Sequence, residues 1–200
     1  MSAETEKKIR TFIAFDLKNP DTIEEVKKYQ EALEEKVAPV KLVDPELFHI
    51  TAHFYGDITL EEAEKIYKEI VAPVNEEHFK KPMKGKVKGI NHFGHRTYYV
   101  EVDGLDKDLA PVIEFIDEKN KEMGYGERRR PFKIHLTVAR RRRTRRRPPK
   151  GTFERIGAAY EELEGDWKKN KFGKFEIEQL VFKKSILTPK GPIYEDLTFD

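Results

Sequence analysis

Two histidines stand in matching contexts in this 200-residue chain, His49 in "FHITAHF" and His135 in "IHLTVAR". Each is followed two positions later by a threonine, Thr51 and Thr137. Both stretches alternate in the manner of a half-buried strand. His and Thr then project from one face, and Ile50, Phe54, Leu136 and Val138 from the other, toward a core. A lone histidine on a strand is most often structural. A second copy with the same companion, in the same kind of strand, reverses that expectation. The chemistry such a pair suits is two-ended proton transfer. Imidazole titrates near ~6.5, so close to neutral pH one ring can take a proton while the other gives one. Across a cleft, one would activate a water and the other protonate a leaving oxygen. The threonine hydroxyls would hydrogen-bond the oxygens of a phosphate held between them. No metal or cofactor is needed for that division of labour.

Metal binding is the competing reading. His49 and His53 are four apart and would share a strand face, and "NHFGH" offers His92 and His95. With no cysteine in the chain and no nearby carboxylate, neither set is completed. His78, in "NEEHFKKP", reads as a surface residue.

The rest of the pattern supplies the elements that must hold these motifs. "IRTFIAFDL" is an alternating strand, and "NPDTIEEVKKYQEALEEKV" an amphipathic helix opened by Asn-Pro-Asp. "PVKLVD" and "LFHITAHFYGD" read as strands, the second ending at a Gly-Asp turn. "TLEEAEKIYKEIVAPV" is a helix with Thr59 and Glu62 as a capping box. "MKGKVKGINHF" and "TYYVEVDG" form a strand pair joined around Gly94, and a third helix runs from Leu105 to the glycines at 124 and 126. "FKIHLTVAR" is a strand and "FERIGAAYEELEGDW" a shorter helix. The C-terminal "KFEIEQLVFKKSILTPKGPIYEDLTFD" reads as two long strands around the turn "TPKGP". Short turns between neighbouring strands point to α+β architecture with largely antiparallel sheet, without a clear interdomain linker.

Composition narrows the class further. Apolar and charged residues each make up 38% of the chain, enough for a core beneath a heavily charged surface. No apolar run approaches the ~20 residues of a membrane span, and "MSAETEKKIR" lacks a signal peptide's apolar centre. Absence of cysteine removes disulfides and thiolate nucleophiles, and a cytoplasmic protein is expected. The net charge of +2 hides an asymmetry. Between Glu127 and Lys150, ten arginines and two lysines face one glutamate, a local +11 that leaves −9 on the remaining 176 residues. Such a segment is either an electrostatic footprint for a polyanion or a solvated loop.

With these residues in view, the chain resembles the 2H phosphoesterase superfamily, which is defined by two His-x-Thr/Ser motifs. Within it the chain is most similar to the RNA 2′,3′-cyclic phosphodiesterases also called 2′-5′ RNA ligases. "RTFIAFDL", "FHITAHFYGD", "HLTVAR" and "KKSILTPKGPIYEDLTF" carry the resemblance over nearly the whole chain. It implies a bilobal, pseudo-two-fold α+β fold spanning residues 1–200, two antiparallel sheets with outer helices around a central groove, and a basic loop at 141–150. It implies His49 and His135 as the catalytic pair, Thr51 and Thr137 as phosphate contacts, and Arg140 as a further phosphate ligand. The reaction implied is opening of a 2′,3′-cyclic phosphate at RNA ends, such as those of tRNA fragments, to a 2′-phosphomonoester, by a monomer without cofactor. Weak reverse 2′-5′ ligation would use the same groups. Alternatives are another superfamily substrate, 2′-5′ oligoadenylate or cyclic ADP-ribose phosphate, and a non-catalytic RNA-binding module. Ala52 and His53 depart from the leucine and lysine common in this family, and Phe12, Phe48, Tyr55, Phe93 and Tyr98 are candidates for base stacking.

Overall fold

Alternating strands with one apolar face must pair and bury that face, and here they do so in two antiparallel sheets. The structure is a computed structural model that describes residues 7–37, 39–142, 148–189 and 191–200. The first sheet has the order β3 (His49–Ile58), β1 (Ile9–Asp16), β8 (Val181–Leu187), β9 (Pro192–Asp196). The second has the order β2 (Val40–Leu42), β6 (His135–Arg141), β5 (Thr97–Asp103), β4 (Met83–Phe93), β7 (Lys171–Ile177). The two expected motif strands are therefore β3 and β6, one in each sheet. β3 pairs with β1 as β6 pairs with β5, so the motifs occupy equivalent places.

The helices cross between lobes. Helix α1 (Pro20–Val37) follows β1 of the first sheet but packs on the second, beside β7 and α5 (Thr152–Trp167). Its apolar stripe Val26, Tyr29, Leu33 and Val37 is buried, each such side chain contributing about 1.5–3 kcal/mol. Conversely, α4 (Asp106–Glu122) follows β5 of the second sheet. It packs beside the helical stretch that lies against β8, made of α2 (Leu60–Ile66), a π-turn (Tyr67–Val71) and α3 (Ala72–His78). Thr59 and Glu62 cap α2 reciprocally, as their spacing predicts. The π-turn falls just before Pro73, whose missing N–H an α-helix could not use.

Three expectations needed correction. "KFEIEQLVFKK" is not one strand but β7 and β8, in different sheets. The link between them is held by Asn75, whose side chain donates to the Leu180 carbonyl and accepts from its N–H, standing in for a neighbouring strand. Gly56–Asp57 is not a turn. Gly56 takes φ +76° in a bulge opposite Thr11, and β3 runs on to Ile58. The third correction concerns Phe54 and His53 and decides the shape of the site.

Candidate active site

Each motif strand carries a one-residue bulge directly after His-x-Thr. In β3, Thr51 pairs with Ala14 and His53 with Ile13, so Ala52 is the extra residue. In β6, Thr137 pairs with Tyr99 and Ala139 with Tyr98, so Val138 is extra. A bulge shifts the two-residue alternation by one. Phe54 is therefore not a core residue but 63% exposed, on the face of His49 and Thr51, while Ala52 is buried in its place. By the same shift Arg140, opposite Thr97, joins the face of His135 and Thr137. His53 leaves the face of His49 and packs on Tyr55 instead.

The extra residue's carbonyl has no strand partner, and a side chain from the other half of the chain supplies one. Arg128 donates through Nη1 to the Ala52 carbonyl at 3.0 Å and grips Asp117 on α4 with two nitrogens. Gln30 on α1 donates through Nε2 to the carbonyls of Val138 (2.8 Å) and Val43 (2.7 Å). Each motif is thus braced across the lobes.

The two imidazoles are held alike. His49 Nδ1 lies 2.7 Å from the carbonyl of Leu47, in the 3₁₀ turn Pro45–Leu47, and His135 Nδ1 lies 2.7 Å from the carbonyl of Lys133. A carbonyl only accepts, so Nδ1 carries the proton and Nε2 is the working nitrogen, an acceptor when neutral and a donor when charged. Aromatic rings fix each plane. Phe12 (5.0 Å) and Tyr194 (5.5 Å) flank His49, and Phe93 (5.0 Å) and Tyr99 (5.2 Å) flank His135.

Burial is the first cause that pushes both imidazoles below their ordinary pKa. The surroundings then differ. Beside His49, the Leu47 carbonyl and Asp16 favour the charged ring, against Lys183 and Arg140. Beside His135, Lys133 and Arg140 both favour the neutral ring, with only the Lys133 carbonyl opposing them. Arg140 acts on both rings and on Tyr194, so it is the charge the two motifs share.

The sequence reading missed the ionic cluster behind His49. Lys183, 7% exposed, bridges Asp16 (3.0 Å) and Asp196 (2.8 Å). Burial opposes its charge, but the two carboxylates outweigh burial and hold its pKa above the ordinary value. Tyr194, also missed, lies on β9 beside this cluster. Of the aromatic candidates, Phe12, Phe48 and Tyr98 are buried and Tyr55 is half-buried, whereas Phe93 is 40% exposed. Arg141 lies over the Phe153 ring at 4.6 Å and Arg142 donates to the Val40 carbonyl, so these two are engaged by the protein itself. The remainder of the arginine run, 143–147, lies outside the described residues. Among the described residues no three His, Asp or Glu side chains converge as metal ligands, and no helix is long and apolar enough to cross a membrane. A cavity of about 380 Å³ opens where the chain passes between lobes, at Lys18–Pro20 and Glu178–Gln179, and shares only Asp16 with the histidine site.

Comparison with known proteins gives a consistent result. A family model described as the AKAP7 2′5′ RNA ligase-like domain matches residues 11–195. The RNA 2′,3′-cyclic phosphodiesterase of Methanocaldococcus jannaschii is 32% identical over 190 residues, 94% of this chain and 97% of that protein. The RNA 2′,3′-cyclic phosphodiesterase of Archaeoglobus fulgidus is also 32% identical, over 94% of this chain and 98% of its own length. Among solved structures, TT0787 of Thermus thermophilus is similar with a TM-score of 0.64 at 23% identity, over 95% of this chain and 96% of that one. LigT of E. coli complexed with 3′-AMP is similar with a TM-score of 0.67 at 13% identity, over 96% and 97%. These two likenesses establish the fold.

Proposed function

Since the chain belongs to the 2′5′ RNA ligase-like family, we propose that it opens 2′,3′-cyclic phosphates at RNA ends to 2′-phosphomonoesters, with His49 and His135 as general acid and base. The observation that carries this reading is the matched pinning of the two imidazoles, Nδ1 to a carbonyl two residues earlier, in strands bulged at the same place. The curated relatives named RNA 2′,3′-cyclic phosphodiesterase, matched over nearly the whole chain, support the substrate class. Residues 1–200 act as one bilobal unit in this reading, with the basic segment 141–150 as a guide for RNA.

Thr51, Thr137 and Arg140 hold the phosphate oxygens and offset the charge that develops on them. His135, kept neutral by burial and by Lys133, takes a proton from water as its oxygen attacks phosphorus. The bond from phosphorus to the 3′ oxygen breaks, and His49 gives that oxygen its proton. Asp16 favours the charged His49 that this step requires. The rings end with their protons exchanged, and solvent restores them.

The test is incubation of an oligonucleotide ending in a 2′,3′-cyclic phosphate in the presence of a chelator, with the product read by phosphorus NMR. Ring opening to the 2′-monophosphate is expected. No opening under those conditions would sink the metal-free mechanism, and a 3′-monophosphate would overturn the regiochemistry.

The pH dependence follows from the same groups. Both imidazoles are held below ~6.5 in the free protein. The neutral base is lost as pH falls through its lowered value, and the protonated acid is lost as pH rises through its own. The kcat/KM profile is therefore expected to be a bell with its maximum on the acid side of ~6.5. A bound phosphate anion favours the imidazolium, so the alkaline limb of kcat should lie at higher pH than that of kcat/KM. A profile flat between pH 5 and 8 would contradict the assignment.

A further inference from the structure

Beside His135 the second lobe presents a surface that proton transfer does not use. Phe93, the last residue of β4, is 40% exposed. Tyr99, itself buried, covers one side of its ring, with centroids 4.5 Å apart at 32°. The other side is the one left open. Lys133 reaches the same place, donating to the Tyr99 hydroxyl at 2.6 Å with its amine 5.8 Å from the Phe93 centroid. Among the described residues no carboxylate pairs with it. The Lys133 carbonyl also holds His135 Nδ1, and the Phe93 ring meets the His135 ring edge-on at 5.0 Å. One exposed aromatic ring means little by itself. An open aromatic face, an amine without a carboxylate partner and a catalytic imidazole within one ring's breadth form a surface for a flat apolar group attached to an anion.

We propose that Phe93 and Lys133 form the subsite for the terminal nucleotide, Phe93 stacking its base and Lys133 binding the phosphodiester on its 5′ side. This rests on the cyclic phosphodiesterase reading, which places the cyclic phosphate at His135. Stacking is tolerant of base identity, because every base has a π-face. A single lysine adds charge without reading sequence. The subsite therefore selects an RNA end over a free cyclic phosphate and is indifferent to which base ends the RNA. Its counterpart on the first lobe, Phe54, rises from the bulge of β3 with no lysine at its side, which is why the second lobe is assigned this role.

The test compares kcat/KM for three substrates: ribose 2′,3′-cyclic phosphate, a nucleoside 2′,3′-cyclic phosphate, and a dinucleotide ending in that nucleotide. Phe93→Ala is expected to reduce the preference for nucleoside over ribose about tenfold, and Phe93→Tyr to restore it. Lys133→Gln is expected to reduce the preference for dinucleotide over nucleoside about tenfold, and Lys133→Arg to restore it. If either alanine or glutamine slows all three substrates by one common factor, the residue serves the reacting phosphate and the subsite is overturned. Calorimetric binding of nucleoside 2′-monophosphate, with and without a 5′-phosphate, separates the two readings. The same preferences in binding with no turnover in the parent protein would support the subsite while refuting the phosphodiesterase.

Discussion

Alanine in place of His49 or His135 is expected to lower kcat about 10³-fold while leaving RNA binding and the fold in place. Neither ring takes part in strand pairing. Each gives one hydrogen bond to a carbonyl two residues away and otherwise touches aromatic neighbours. Loss of either should shift Tm by only a few degrees, so the activity loss is not an unfolding effect. The double variant should be little worse than either single one, because acid and base serve one transition state. The roles separate with an aryl phosphodiester, whose leaving oxygen needs no proton. His49→Ala should recover most of its activity on that substrate and His135→Ala should not. Recovery in the other order would exchange acid and base. An RNA-binding module without catalysis predicts no turnover to lose.

What the sequence reveals of this site depends on how local the cause is. His49, Thr51, His135 and Thr137 are legible because strand alternation fixes their common face within three residues. Phe54 is not, because alternation counts residues and a bulge adds one. Nothing in "HITAHF" marks Ala52 as the extra residue. The groups that accept the cost of its unpaired carbonyl lie 76 positions away at Arg128, and for Val138 the partner Gln30 lies 108 positions away. The Asp16–Lys183–Asp196 cluster is hidden for the same reason, being one residue from each of three strands. The break within "KFEIEQLVFKK" is hidden because its apolar alternation runs on unbroken, and only Asn75, on a distant helix, shows where the strand stops.

Those distant partners also explain why neither half of the chain could present its motif alone. The β3 bulge of the first half is braced by Arg128 and Asp117 of the second, and the β6 bulge of the second half by Gln30 of the first. Removing a brace should therefore damage a site it does not touch. Arg128→Met strips the ion pair from Asp117 and leaves the Ala52 carbonyl unpaired. The pair is partly shielded, with side-chain exposures of 20% and 33%, and the expected loss is about 3 kcal/mol, near the lower end for breaking a buried pair. For a chain of this size that is a fall in Tm of roughly 6–12 °C. Restoring neutrality with Asp117→Leu in the same chain should return part of the stability, since the stranded carboxylate is gone. It should not return activity, because the Ala52 carbonyl remains without a donor and the bulge that sets His49, Thr51 and Phe54 on one face is free to slip. Arg128→Lys keeps the charge but cannot grip Asp117 with two nitrogens while reaching Ala52, so it should recover stability more than kcat. If the Arg128→Met, Asp117→Leu double variant regained full kcat, the brace would be a matter of stability alone and the bulge would hold itself.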